Sequence, residues 1–152
     1  MELEEYLASG LVKLKLEGDT KEEVLQELVE LLYEERKINS KEKFYQAIQE
    51  REKEESTGLG YGVALPHGKS EAVEELAVAV GRKECGIDFD SLDSKPAKLF
   101  FMIADSAGYS REYLQIVSNL AGQLRKKDLR KDLMAADTEE EIVDILTKIA
   151  KK

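Results

Sequence analysis

The chain of 152 residues is poor in the side chains that usually announce chemistry: one cysteine (Cys85), one histidine (His67), two prolines and no tryptophan. A single cysteine cannot close an intramolecular disulfide, which points to a reducing, cytoplasmic setting. One histidine with one cysteine excludes a zinc site of the Cys/His kind, and neither a metal nor an organic cofactor is expected. A basic excess is also missing. The 23 Lys and Arg stand against 32 Asp and Glu, for a net charge of −9, and this argues against a nucleic-acid surface. No apolar run reaches membrane length, and the acidic stretch Met1 to Tyr6 is expected to be neither signal peptide nor anchor.

What remains is the composition of a folded domain, 42% hydrophobic and 36% charged with both signs interspersed. The length suits one domain over residues 1–152, with no linker, repeat or low-complexity block. The acidic excess is uneven: residues 1–55 hold 9 basic and 16 acidic side chains, and residues 56–152 hold 14 and 16. An anion site therefore fits better in the second part.

Periodicity gives the elements. Leu11 to Leu16 alternates and predicts a strand. Thr20 with Glu23 forms a capping box, followed by Val24, Leu25, Leu28, Leu31 and Leu32 at helical spacing. A second helix is expected from Asn39 or Ser40, with Phe44, Tyr45 and Ile48 inward, and Ser56 to Gly62 as a glycine-rich loop. Val63 to Leu65, Leu76 to Val80 and Leu99 to Ala104 are short apolar runs bounded by turn residues, which predicts strands. Helices are expected from Ser110, over Asp128 to Met134, and after the Thr138–Glu141 capping box, where Ile142, Val143, Ile145, Leu146 and Ile149 follow. Alternating strands and helices imply an α/β fold, a mostly central sheet covered on both faces.

The segment from Arg51 to Lys69 concentrates whatever chemistry the chain has. Its glycines form neither a dinucleotide fingerprint, which needs a strand before and a helix after, nor a Walker loop, which needs Gly-Lys-Ser/Thr. His67 lies between Pro66 and Gly68 and beside Lys69. A lone histidine is commonly a packing residue, yet a neutral imidazole presented by a glycine-flanked loop is also a nucleophile near neutral pH. Phosphoryl transfer through it would need cations around the transferred group. Arg51 follows Phe44 and Ile48 at i, i+4 and i+7, in phase with the buried stripe, where a guanidinium could clamp phosphate. Lys69 reads either as a surface lysine or as an electrostatic helper. Cys85 is expected to be a small packing residue, and Asp88 and Asp93 to shape turns around Phe89 and Pro96.

Ser56-Thr57-Gly58, Gly62-Val63-Ala64 and Pro66-His67-Gly68-Lys69, with Arg51 before them, resemble the active-site segment of enzyme IIA of the fructose/mannitol type. This family belongs to the bacterial phosphoenolpyruvate-dependent sugar phosphotransferase system and includes the nitrogen-regulatory IIA proteins. Cys85 to Phe89 with Asp93, and the run Leu99 to Ala104, resemble the family's later segments, so the similarity covers about residues 10–150. The resemblance implies an α/β fold with a mixed central sheet flanked by helices, and that His67 accepts phosphate from the phosphocarrier HPr, assisted by Arg51. The acceptor would be a IIB component during sugar uptake, in association with a membrane permease complex, or else a regulatory target. It also implies phosphate-binding roles for Ser56, Thr57, Gly68 and Lys69. Leu59, Tyr61 and Phe89 are expected as exposed apolar contacts for partners around the histidine. The family places a second histidine where this chain has Tyr113. Two roles are open to Tyr113: a hydrogen-bond donor to a phosphoryl oxygen, or a packing residue.

Overall fold

The computed structural model describes residues 3–108 and 110–150. Four helix starts follow from the residues at their N-caps. Thr20 accepts from the amide of Glu23 and opens α1 (Lys21–Glu34), and Ser40 accepts from Lys43 and opens α2 (Lys41–Glu54). Ser110 accepts from Tyr113 at the start of α3 (Arg111–Gln123), and Thr138 from Glu141 at the start of α5 (Glu139–Ala150). Each bond satisfies an amide that the helix cannot. The fifth helix, α4 (Lys127–Ala135), has no side-chain cap.

Six strands form one mixed sheet: β1 (Val12–Lys13), β2 (Gly58–Gly60), β3 (Val63–Ala64), β4 (His67–Lys69), β5 (Ala77–Ile87) and β6 (Ala97–Asp105). The order is β1-β5-β6-β3-β2, with β4 also on β6. The antiparallel pair β5–β6 is the centre; β1 runs parallel to β5, and β3 and β4 run parallel to β6 end to end. Every residue from Leu99 to Asp105 is buried, so both faces of β6 are covered, as a continuous apolar run requires. Register alternation assigns the cover. Gly68 and Phe100 share one face, where Gly68 abuts Ala47 and Ile48 of α2, and Phe89 packs between Phe100 and Lys21 of α1. The other face carries His67, Lys69 and Arg82. There Lys69 lies against Tyr113 of α3, and the Arg82 guanidinium donates to the carbonyls of Leu133, Met134 and Ala136 at the end of α4.

Several expectations need correction. Only Val12–Lys13 of the Leu11–Leu16 run is a strand, because a 3-10 turn (Ser9–Leu11) precedes it. The run then returns only at Leu16, whose amide bonds to Arg82. The strand expected over Leu76–Val80 extends to Ile87, through a register shift that Gly86 accommodates at φ 76°. Part of the supposed glycine loop is strand β2, and its bulge against β3 hides the two-residue alternation that would reveal it. Cys85 is exposed rather than packed, since it sits in the part of β5 between the paired residues Arg82 and Ile87. The inward positions Val24, Leu28, Leu32, Phe44, Ile48, Leu120, Leu124, Ile142 and Leu146 are buried as expected; the side chain of Ile149 lies outside the described residues.

Candidate functional site

His67 opens β4 opposite Ile103 of β6. Pro66 separates β3 from β4 because it can accept from the Ile103 amide (3.0 Å) but has no N–H to return. The ladder breaks there, and His67 enters the sheet immediately after the break. Its Nδ1 lies 2.7 Å from the Leu65 carbonyl. A carbonyl only accepts, so Nδ1 carries the proton and Nε2 carries the lone pair in the neutral ring. Nε2 accepts from Nε–H of Arg51 at 3.3 Å.

That meeting depends on how closely α2 lies on β4. A methyl group on Gly68 would come within 3.3 Å of Ile48 and 3.6 Å of Ala47, so the absence of a side chain lets the helix settle on the strand. Arg51 is one turn further along, half-buried, and its Nη1 also donates to the Glu55 carbonyl (2.9 Å) at the helix end. Two hydrogen bonds thus orient a guanidinium against the imidazole. The electrostatics follow from this position. Burial pushes the His67 pKa down from its ordinary value and Arg51 pushes it further, against the opposing pull of the Leu65 carbonyl and Glu52.

Tyr113 is buried in the first turn of α3, with its ring edge-on to His67 at 6.1 Å between centroids. Burial, opposed by Arg51 and helped by Asp105, pushes its hydroxyl up to about 12, so it stays a protonated donor near neutral pH. Lys69 donates to the Gly108 carbonyl and holds its ammonium 4.9 Å over the Tyr113 ring. Arg51, His67, Lys69 and Tyr113 therefore converge from α2, β4 and α3.

The remaining expected residues are placed elsewhere or used internally. Thr57 is buried, with its amide and hydroxyl both donating to Glu52, and Ser56 donates to the Phe89 carbonyl at 2.8 Å. These hydroxyls tie down the approach to β2. Phe89 is fully buried against Phe100, not exposed, because Ser56 and Lys21 draw it under α1. Leu59 is half-buried and Tyr61 is 54% exposed, but neither surrounds the histidine. The turn through Gly60 and Gly62 carries them to the Leu99 end of β6, four residues or about 13 Å along the sheet from the Ile103 level of His67. Asp88 and Asp93 make the expected turns, accepting from the amides of Asp90 and Lys95.

One residue escapes the sequence reading. Glu52 has a side chain only 8% exposed, and it joins Lys21 (2.9 Å) to Thr57. Its spacing of i, i+4, i+8 with Phe44 and Ile48 was the available signal.

The family model for the phosphoenolpyruvate-dependent sugar phosphotransferase system, EIIA 2, matches residues 5–149. The chain is 39% identical over 146 residues to the PTS system fructose-specific EIIABC component of Bacillus subtilis, covering 96% of this chain but only 23% of that longer protein. It is 37% identical to the PTS system fructose-specific EIIA component of Haloferax volcanii, covering 91% of this chain and 90% of that one. Among solved structures, the nitrogen regulatory protein IIA-Ntr from Neisseria meningitidis superposes with a TM-score of 0.87 at 34% identity, over 93% of this chain and 97% of that one. Enzyme IIAMTL from Escherichia coli, solved in complex with phosphorylated enzyme IIBMTL, gives 0.78 at 25% identity, over 96% and 98%. With residues 5–149 matched by the family model and a fructose-specific EIIA component 37% identical over nine tenths of both chains, the chain belongs to the EIIA 2 family of the phosphoenolpyruvate-dependent sugar phosphotransferase system.

Proposed function

We propose that the protein is a phosphocarrier that takes a phosphoryl group from HPr onto Nε2 of His67 and passes it to a IIB component in sugar uptake. One observation carries this reading: the lone pair of a tautomerically fixed imidazole faces the Arg51 guanidinium. In the step, the P–N bond of the donor phosphohistidine breaks as the P–Nε2 bond forms, and the proton on Nδ1 stays in place. Positive charge then grows on the ring, where the Leu65 carbonyl stabilises it. Arg51 exchanges an imidazole partner for phosphoryl oxygens, with donors to spare on its fork. Lys69 adds positive potential. The Tyr113 hydroxyl, kept protonated by burial, donates a hydrogen bond to the transferred group where the family uses a second histidine. It cannot supply a cation, so transfer onward is slower than with two imidazoles. Gly68 serves by letting α2 approach. The carrier meets its partners in the cytoplasm; no helix of the described residues is long and apolar enough to cross a membrane.

Incubation with phosphoenolpyruvate, enzyme I and HPr is expected to add one acid-labile phosphate, absent in His67→Ala and slowed at least tenfold in Arg51→Gln. Failure to label with several HPr sources would overturn the reading. A second reading rests on Tyr113 itself: a regulatory module, as in the nitrogen-regulatory branch, for which phosphorylation is a charge switch rather than a relay. Rapid labelling by HPr with no discharge to fructose-type IIB proteins would favour it.

A further inference from the structure

At the far end of α3 from the histidine, Leu59, Gly60, Tyr61, Val63, Ala121, Leu124 and Arg125 line a cleft of about 290 Å³. Tyr113 and Leu124 are eleven residues apart, so this cleft lies about 16 Å from the His67 end of the helix. Its outer wall is Tyr61, held at φ 59° by its amide bond to Asp93 (3.1 Å) and stacked 5.0 Å under the Arg130 guanidinium. A bulky residue in the left-handed region is strained, and here the strain turns an aromatic ring outward beside an apolar floor.

The rim is the one strongly basic part of an acidic molecule. Residues 125–131 carry five basic side chains and one acidic, leaving 18 basic and 31 acidic in the rest of the chain. Arg125, Lys126, Lys127 and Lys131 are exposed, and among the described residues none of the four makes an ion pair or a side-chain hydrogen bond. Lys126 and Lys127 also stand at the start of α4, the positive end of the helix dipole, where cations are disfavoured. Folding alone gives no reason to gather unpaired cations there. A net-negative body repels extended polyanions and anionic bilayers at long range. A short acidic segment meets the patch without meeting the rest.

We infer that this cleft and its basic rim dock a short acidic segment of a protein partner carrying one aromatic side chain: the ring fills the cleft and flanking carboxylates pair with Arg125, Lys126, Lys127 and Lys131. The site is separate from His67 and needs no phosphorylation. The test is an NMR titration of the ¹⁵N-labelled full chain with the acetylated, amidated peptide Glu-Asp-Glu-Phe-Glu-Asp-Glu. Amide shifts are expected at Leu59 to Val63 and Ala121 to Arg125, equally in His67→Ala. Binding is expected to weaken at least tenfold when the peptide's Phe becomes Ala, or in the Arg125→Glu/Lys127→Glu double variant. Both side chains are exposed, and the variant's spectrum reports its own folding. Shifts confined to the His67 end, no shifts at millimolar peptide, or equal binding of a Lys/Arg-flanked Phe peptide would overturn the inference. So would tighter binding of an oligonucleotide or of phosphatidylserine vesicles.

Discussion

The protonation state of His67 is set by its surroundings more than by the imidazole. Burial disfavours the cation, Arg51 disfavours it further, and the Leu65 carbonyl and Glu52 only partly offset them. The unfolded chain takes this proton near the ordinary value of 6.5, and the folded chain takes it lower. Between the two the unfolded state binds more protons, so folding stability from this residue is complete above about pH 6.5 and declines as pH falls through the folded pKa. An NMR titration of the ring should give a midpoint below 6.5, moving upward in Arg51→Gln, with Nδ1 protonated throughout the neutral range. A midpoint at or above the ordinary value would refute the buried, guanidinium-facing placement. The His67–Arg51 pair was legible from sequence because periodicity put Arg51 in phase with Phe44 and Ile48. The Leu65 carbonyl was not legible, since a bond across Pro66 depends on backbone direction that no side-chain pattern encodes. Phe89 was misread for a related reason: one aromatic among acidic turn residues looks exposed until the Ser56 bond and Lys21 locate it.

Between elements, glycines decide how closely layers approach. At Gly81 in β5 a methyl group would sit 2.7 Å from one terminal carbon of Leu16 and 3.0 Å from the other. Both are buried, so Gly81→Ala should destabilise by about 1–3 kcal/mol, the usual cost of overpacking. Gly122, exposed in α3 with nothing within 4 Å of an added methyl, should respond oppositely: Gly122→Ala should stabilise by about 0.5–1 kcal/mol through helix propensity. Urea denaturation of the two variants beside the parent checks both signs, and equal shifts in one direction would show that the packing at Gly81 relaxes freely. The capped helices were readable because a cap is a local side-chain signal; the short strands β2 and β4 were not. Each is three residues long, carries two or one of the chain's glycines, and is defined by the neighbour that pairs with it, and sequence holds no local trace of that pairing.

For the molecule as a whole, β5 and β6 touch nearly every layer: α1 and α2 rest on one face, and α3 and α4 on the other, with Arg82 bonding α4 to the sheet. Such a centre should unfold as one unit. With six tyrosines and no tryptophan, tyrosine fluorescence and far-ultraviolet circular dichroism should give coincident urea transitions; an earlier fluorescence transition would mean that α3, with Tyr113, detaches first. The sheet's borders have a consequence of their own. One border is β1, two residues long, and the other is assembled from β2, which lies outside β3, and from β4, of three residues each, with Pro66 breaking the chain between β3 and β4. An open, regular border of a sheet is a template for adding strands from another chain. Here the interruption that delivers the histidine into the sheet also removes that template. The protein can expose its reactive end to a succession of partners without offering them, or its own copies, a backbone ladder on which to accumulate.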